Sequence, residues 1–334
     1  MFFGTLHLPP VRYGGGLSVS LRRAIGLFAV ASLAFGGTFV AARAGQVYIP
    51  PLLFVAIRFD LAAILLLGYA AYATEGSIRP RTRGDIGGVL AAGVLTIGLA
   101  NGLLFVGQGY VTSAVGAILF SLVPIIAPLF AALLLSDERV SALGAVGMGV
   151  AAIGVGMVVG VSPSNLLAES GVGAALVLGG AASAALGTVL TRRCEATISS
   201  TAQVAWGLPI SAVLLHGMSL AVGESAATIE WTLAAIVSLA YVTVVAGAVG
   251  YIAYFALIEE VGALRSSLIF YASPLVAALG GWWFLGEAIT TTTVAGFVTV
   301  VAGFLVIGHE QFRAAFRRLA DGRGQATGGY EPSD

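Results

Sequence analysis

The chain has 334 residues, 58% of them hydrophobic and only 10% charged, and a mean hydropathy of +0.98. A soluble globular domain averages about a quarter charged residues, so the solvent this sequence suits is a lipid bilayer. Sixteen cations, all arginine, balance sixteen anions; without a concentrated basic face, nucleic acid is excluded as a partner.

A bilayer core about 30 Å thick takes roughly 20 apolar residues per helix, which leaves room for about ten spans and no second soluble domain. Residues Met1 to Ser20 contain Pro9, Pro10 and Gly14-Gly15-Gly16 and lack the apolar core and cleavage site of a secretory signal, so they read as a flexible cytoplasmic tail. Charge, proline and serine clusters then predict spans over Ala24 to Ala42, Pro51 to Tyr72, Ile86 to Phe105, Ser113 to Leu135 and Ala142 to Gly160. Beyond the polar stretch Ser162 to Ser170 come five more, over Gly173 to Leu190, Ala202 to Leu220, Leu233 to Leu257, Ser266 to Leu285 and Thr292 to Ile307. Past His309, Phe312, Phe316 and Leu319 alternate with Arg313, Arg317 and Arg318 at helical spacing, predicting an amphipathic helix that lies on membrane lipids at the cytoplasmic surface. The division is a tail (1–22), a first five-helix unit (23–161), a second (162–308) and a C-terminal tail (309–334).

Cytoplasmic loops of membrane proteins carry the excess of positive charge. With the N-terminus inside, fourteen of the arginines fall in inner segments, Arg43 alone in an outer loop, and Arg58 within a span. A missed or extra helix would scramble this alternation, so ten spans with both termini cytoplasmic are expected in a cell membrane.

A shift of 150 residues superposes Gly37-Thr38 on Gly187-Thr188, and Phe105, Val111, Phe120, Pro124 and Leu135 on Phe255, Val261, Phe270, Pro274 and Leu285. With one inserted residue near Ser136, Glu138 meets Glu287, Gly147 meets Gly296 and Gly154 meets Gly303. Shared helix composition is the plainer explanation at Ala, Val and Leu, but not for Gly-Thr, Phe, Pro and Glu in one register. Because each copy has an odd number of spans, the second must insert upside down relative to the first. Inverted repeats are the architecture of many secondary transporters.

Gly36-Gly37-Thr38-Phe39-Val40, Arg58-Phe59, Pro124 with Leu134-Leu135, and Glu138-Arg139 resemble the drug/metabolite transporter superfamily, specifically its EamA-type members. Gly262 to Ser267, Pro274 and Leu285-Gly286-Glu287 repeat the signature over a region running from about Arg23 to Ile307. The resemblance implies an all-α integral membrane fold of ten transmembrane helices in two inverted five-helix repeats, a central cavity, and export of a small organic solute such as an amino acid. The sequence departs from that pattern at Ser273, before Pro274, where many relatives carry an acidic residue, and in a turn at Ser136-Asp137-Glu138 that is one residue longer than its counterpart.

Arg58 and Asp60 are the formal charges deepest within a span, about 10 and 13 Å along it. Each costs roughly 2.5 to 3.5 kcal/mol in hydrocarbon and must face a cavity or a partner. Arg58 is a candidate for binding an anionic substrate group and Asp60 for exchanging a proton; alternatively each satisfies polar groups of a neighbouring helix. Two residues apart, they point to different faces and are not a mutual ion pair. Asn101, Gln108, Tyr251 and Ser273 complete the candidate substrate set, an amide suiting a zwitterion with both donors and an acceptor; hydrogen bonding between helices is the alternative. Pro124 and Pro274 are read as paired mid-span hinges lining the path, or as static bends. His216, alone near the outer end of its span, is read as an interfacial residue. Glu138, Glu259, Glu260, Glu287 and Arg265 are read as solvated loop charges.

No metal or cofactor is expected: Cys194 has no companion cysteine, and a phosphate loop of the Gly-x-x-x-x-Gly-Lys kind cannot exist without lysine. The sequence therefore predicts a secondary transporter of a small-molecule substrate, not an enzyme, working by alternating access, with a homodimer left open. The rival is an intramembrane enzyme acting on a lipid or prenyl substrate, for which clustered carboxylates, His-Glu-x-x-His and Gly-x-Ser-x-Gly are all missing.

Overall fold

The computed structural model describes residues 17–73, 79–135, 141–160 and 168–307. Glu138, the N-terminal tail before residue 17 and the expected C-terminal amphipathic helix lie outside the described residues.

Every long element among the described residues is helical. Eight helices are long and apolar enough to cross a membrane: α1 (Leu17–Gly45), α2 (Pro51–Ala73), α3 (Arg83–Gln108), α4 (Ser113–Leu134), α5 (Ala142–Val159), α6 (Glu169–Arg193), α7 (Ser200–Ala221) and α8 (Leu233–Val261). Two shorter apolar helices follow, α9 (Ile269–Leu285) and α10 (Thr291–Ile307). Their starts are legible in the chain: Thr82, Thr112, Ser141, Ser199 and Thr232 precede α3, α4, α5, α7 and α8, and each hydroxyl accepts from the backbone N–H three residues on. Gly160 and Gly286 end α5 and α9 in the left-handed conformation, which glycine alone adopts without strain.

Two features interrupt the regular helices. Ala91–Leu99 in α3 and Tyr241–Gly250 in α8 are wound as wide π turns, at positions the 150-residue shift makes equivalent. In α4, Ser121 and Leu122 break the helix and Val123 restarts it, so Pro124 sits in the first turn of a new segment, where a missing N–H is harmless. Pro274 instead lies inside the continuous helix α9. The two equivalent prolines thus sit differently, one at a helix restart and one in a helix interior; Pro128 and Pro209 are interior prolines as well.

Lipid supplies no hydrophobic force between helices, so close packing must come from small residues that let backbones approach. In α5 and α10 the partners are glycines. A Cβ on Gly147 would lie 2.7 Å from the Gly303 carbonyl oxygen, and one on Gly154 2.7 Å from that of Gly296. Elsewhere α2 packs on α7, α3 on α6 and α7, α1 on α8 and α9, and α4 on α6 and α9. Phe54, Phe105, Leu52, Leu119 and Leu215 are fully buried where these helices meet.

Candidate functional site

Helix α2 turns a buried stripe, Leu52, Ala56, Phe59 and Ala63, toward the protein and an exposed one, Leu61, Ile64 and Leu65, away from it. At about 100° per residue Arg58 and Asp60 fall on opposite flanks between those stripes. The Arg58 flank looks toward α8. Its guanidinium carbon lies 5.2 Å from the centroid of the Phe59 ring, and Tyr251 is within electrostatic range. No ion pair or hydrogen bond satisfies Arg58 among the described residues.

Tyr251 opens an aromatic wall. Its ring meets Phe35 edge-on at 5.1 Å; Phe35 meets Tyr254 at 5.9 Å, and Tyr254 meets Phe255 and Phe270 at 5.9 Å each. Tyr251 and Phe255 keep 49% and 54% of their surface exposed, so one face of the wall is available to a ligand or lipid. Sequence reasoning found Tyr251 through its repeat position and missed the others, although Tyr251, Tyr254 and Phe255 are at i, i+3 and i+4 of one helix.

The Asp60 flank looks toward α7, where His216 Nε2 stands 2.8 Å from Asp60 Oδ2. The reading of His216 as an isolated interfacial residue is corrected: it is the direct partner of Asp60.

The remaining candidates are not gathered around Arg58 by direct contacts. Asn101 donates its amide to the Ile97 carbonyl, 2.8 Å away, at the end of the first π stretch. Ser273 is buried and donates to the Ile269 carbonyl, a bond within its own helix. Gln108 is fully buried and its Nε2 donates to the Phe39 carbonyl at 2.6 Å.

Gln108 belongs to a cluster that closes the predicted outer end. Both Glu287 carboxylate oxygens accept from the Ser113 N–H at the start of α4, at 3.1 and 2.9 Å, and Oε1 also accepts from the Ser113 hydroxyl. Arg43 lies 3.8 Å from Glu287 and donates to the Gln108 and Gly109 carbonyls, while Gln46 donates to that of Phe105. Glu287 is therefore not a solvated loop charge: its side chain is 12% exposed, and it ties the α9–α10 turn to α1 and α4. At the same end Glu224 accepts from the Leu52 and Leu53 N–H groups that open α2. At the opposite end Asp85 accepts from the Arg81, Thr82, Thr197 and Ile198 N–H groups, pinning the start of α3 to the α6–α7 turn.

The EamA-like transporter family model matches the chain twice, over residues 22–160 and again over 171–308. The chain belongs to the EamA-like transporter family. This membrane transporter is 27% identical over 281 residues to the uncharacterized transporter YvbV of Bacillus subtilis, covering 84% of this chain and 90% of that one. It is 26% identical to an uncharacterized transporter of Archaeoglobus fulgidus, covering 82% and 94%. With the uncharacterized inner membrane transporter YedA of Escherichia coli K12 it shares 28% over 257 residues, 77% of this chain and 81% of that one. A protein of known crystal structure has the same fold, with a TM-score of 0.59 at 16% identity over 87% of the transporter and 98% of that chain. Membership of this family sets the intramembrane enzyme aside.

Proposed function

We propose that the protein is a secondary transporter that exports a small polar organic metabolite bearing an anionic group, of the amino-acid kind, by alternating access of two inverted five-helix halves. The observation that carries this reading is Arg58: a cation within a span, with no ion-pair partner among the described residues, beside the half-exposed Tyr251. An intramembrane charge left unpaired is costly, and a substrate carboxylate would supply what it lacks.

The inverted arrangement is supported by packing. Exchanging each helix with its mate five places on turns the α1–α8 contact into α6–α3 and the α1–α9 contact into α6–α4, and returns α2–α7 and α5–α10 to themselves. The same exchange turns the Gly147–Gly303 approach into Gly296–Gly154. The double family match, residues 22–160 and 171–308, supports a division into two halves. The arginine distribution favours both termini in the cytoplasm. With the Arg43–Glu287 cluster shut and Tyr251 and Phe255 open on α8, the described state suits one that faces inward. Asp60 is assigned to the site that holds a driving proton.

Counterflow tests the reading. Purified protein in liposomes loaded with single amino acids or carboxylic acids is challenged with trace labelled solute outside. Saturable accumulation that vanishes in empty liposomes is expected, reduced at least tenfold by Arg58→Ala and partly kept by Arg58→Lys, which keeps the charge but not the planar fork. Unaltered exchange in a folded Arg58→Ala protein would remove Arg58 from the site.

A further inference from the structure

We infer that Asp60 and His216 form one proton-binding dyad at the α2–α7 seam, physically separate from Arg58, with His216 as the group that takes up and releases the coupling proton. The inference rests on the proton-coupled transport proposed above and names the second member of its proton site.

The contact sets how the unloaded dyad is bonded. A contact of 2.8 Å between Nε2 and Oδ2 must hold a hydrogen, and with Asp60 ionised that hydrogen belongs to Nε2, which donates to the carboxylate. Nδ1 then keeps a free lone pair. Loading forms one N–H bond at Nδ1 with a proton taken from water and changes the dyad from net −1 to net zero. Release breaks that N–H bond and returns the proton to water.

The surroundings make the two states unequal. The dyad side chains are 47% and 41% exposed, flanked on the same surface by Ile64, Val213 and Leu220. A neutral ion pair with a shared hydrogen bond is tolerable against such apolar neighbours, whereas a net negative dyad needs water beside it. The loaded dyad can therefore pass through a closed seam and the unloaded one cannot, which is the asymmetry a coupled carrier requires.

Among the described residues no other titratable group competes at this depth. On α2 itself the nearest charge, Arg58, occupies the opposite flank; from α8 only Tyr251 approaches, on the Arg58 side. Helix α3, which packs against both α2 and α7, has its charges Arg83 and Asp85 in its first turn, at the far end of the bundle. Because substrate and proton sit on different flanks of one helix, they do not exclude each other by occupying the same atoms. Their coupling runs through the rotation or tilt of α2.

The chain has three histidines, His7, His216 and His309, and only His216 lies in a described helix. The test is nitrogen-15 labelling of those histidines in the full-length protein in lipid nanodiscs, following imidazole signals from about pH 5 to about pH 9. The signal missing from His216→Gln identifies the residue, and in Asp60→Asn its pH-dependent signal is expected to differ from that of the wild type, because the carboxylate oxygen 2.8 Å from Nε2 is gone. Coincident curves in the wild type and Asp60→Asn overturn the dyad. In liposomes, with the labelled amino acids and carboxylic acids of the counterflow panel as probes, His216→Gln is expected to lose all accumulation driven by a pH gradient. Gradient-driven accumulation equal to wild type overturns the assignment. A wild type that exchanges no solute while its His216 curve still depends on Asp60 refutes the transport reading and supports the dyad.

Discussion

Replacing Glu287 with alanine should open the end of the bundle that Gln46, Ser113 and Glu287 close. The carboxylate accepts from the Ser113 N–H and hydroxyl and sits 3.8 Å from Arg43. Hydrogen bonds to a charged group contribute about 1.5 to 3 kcal/mol. The ion pair contributes less: the Arg43 side chain is 36% exposed, and pairs of that kind are worth roughly 0.2 to 1 kcal/mol. A loss of about 2 to 3 kcal/mol follows, carried mainly by Ser113, and at about 1.4 kcal/mol per decade the closed state should become roughly 30- to 100-fold less favoured. Glu287→Gln keeps one acceptor and should give an intermediate effect. The assay is labelling by a membrane-impermeant maleimide of a cysteine placed at Phe39, whose carbonyl is held by Gln108 just beneath the cluster, in a Cys194→Ser background. Labelling from that end should quicken at least tenfold with Glu287→Ala. Equal rates with and without Glu287 would show that the cluster does not hold the end shut.

Three further outcomes can be measured directly. Gly154→Val should abolish a monodisperse peak in detergent size-exclusion chromatography, since its Cβ would meet the Gly296 carbonyl oxygen at 2.7 Å, while Gly149→Val, with nothing within 4 Å, should leave the peak intact. Asp85→Asn removes a carboxylate that caps α3 and holds the Thr197 and Ile198 N–H groups; the thermal midpoint should fall, and a midpoint unchanged within about 1 °C would contradict it. Glu224→Ala frees the Leu52 and Leu53 N–H groups at the first turn of α2 and should speed amide hydrogen exchange there, without changing exchange at the start of α3.

The helices were legible because hydropathy and charge alternate along the chain itself; the caps at Thr82, Thr112, Ser141, Ser199 and Thr232 are local too, a hydroxyl beside a helix start. The glycines of α5 and α10 were legible as repeat mates, but not as contacts, since register gives equivalence and not proximity. What the sequence hid was pairing over distance. Asp60 and His216 are 156 residues apart, and Glu287 and Ser113 are 174. Nothing local distinguishes His216 from an interfacial histidine until α2 and α7 are known to run side by side. The π stretches were hidden for another reason: Ala91–Leu99 and Tyr241–Gly250 are ordinary apolar sequence, with no residue type that marks a wider turn.

Those two wide-wound stretches set a mechanical property of the bundle. A π turn holds one residue more than an α turn, so converting one to regular winding would turn everything beyond it by about 100° and carry it about 1.5 Å along the axis. Asn101 and Tyr251 are the polar side chains just past the two stretches, one on each. Rewinding α8 alone would swing Tyr251 away from Arg58 while leaving α1 to α7 in register. Helices α3 and α8 thus each carry a wide-wound stretch just upstream of a polar side chain.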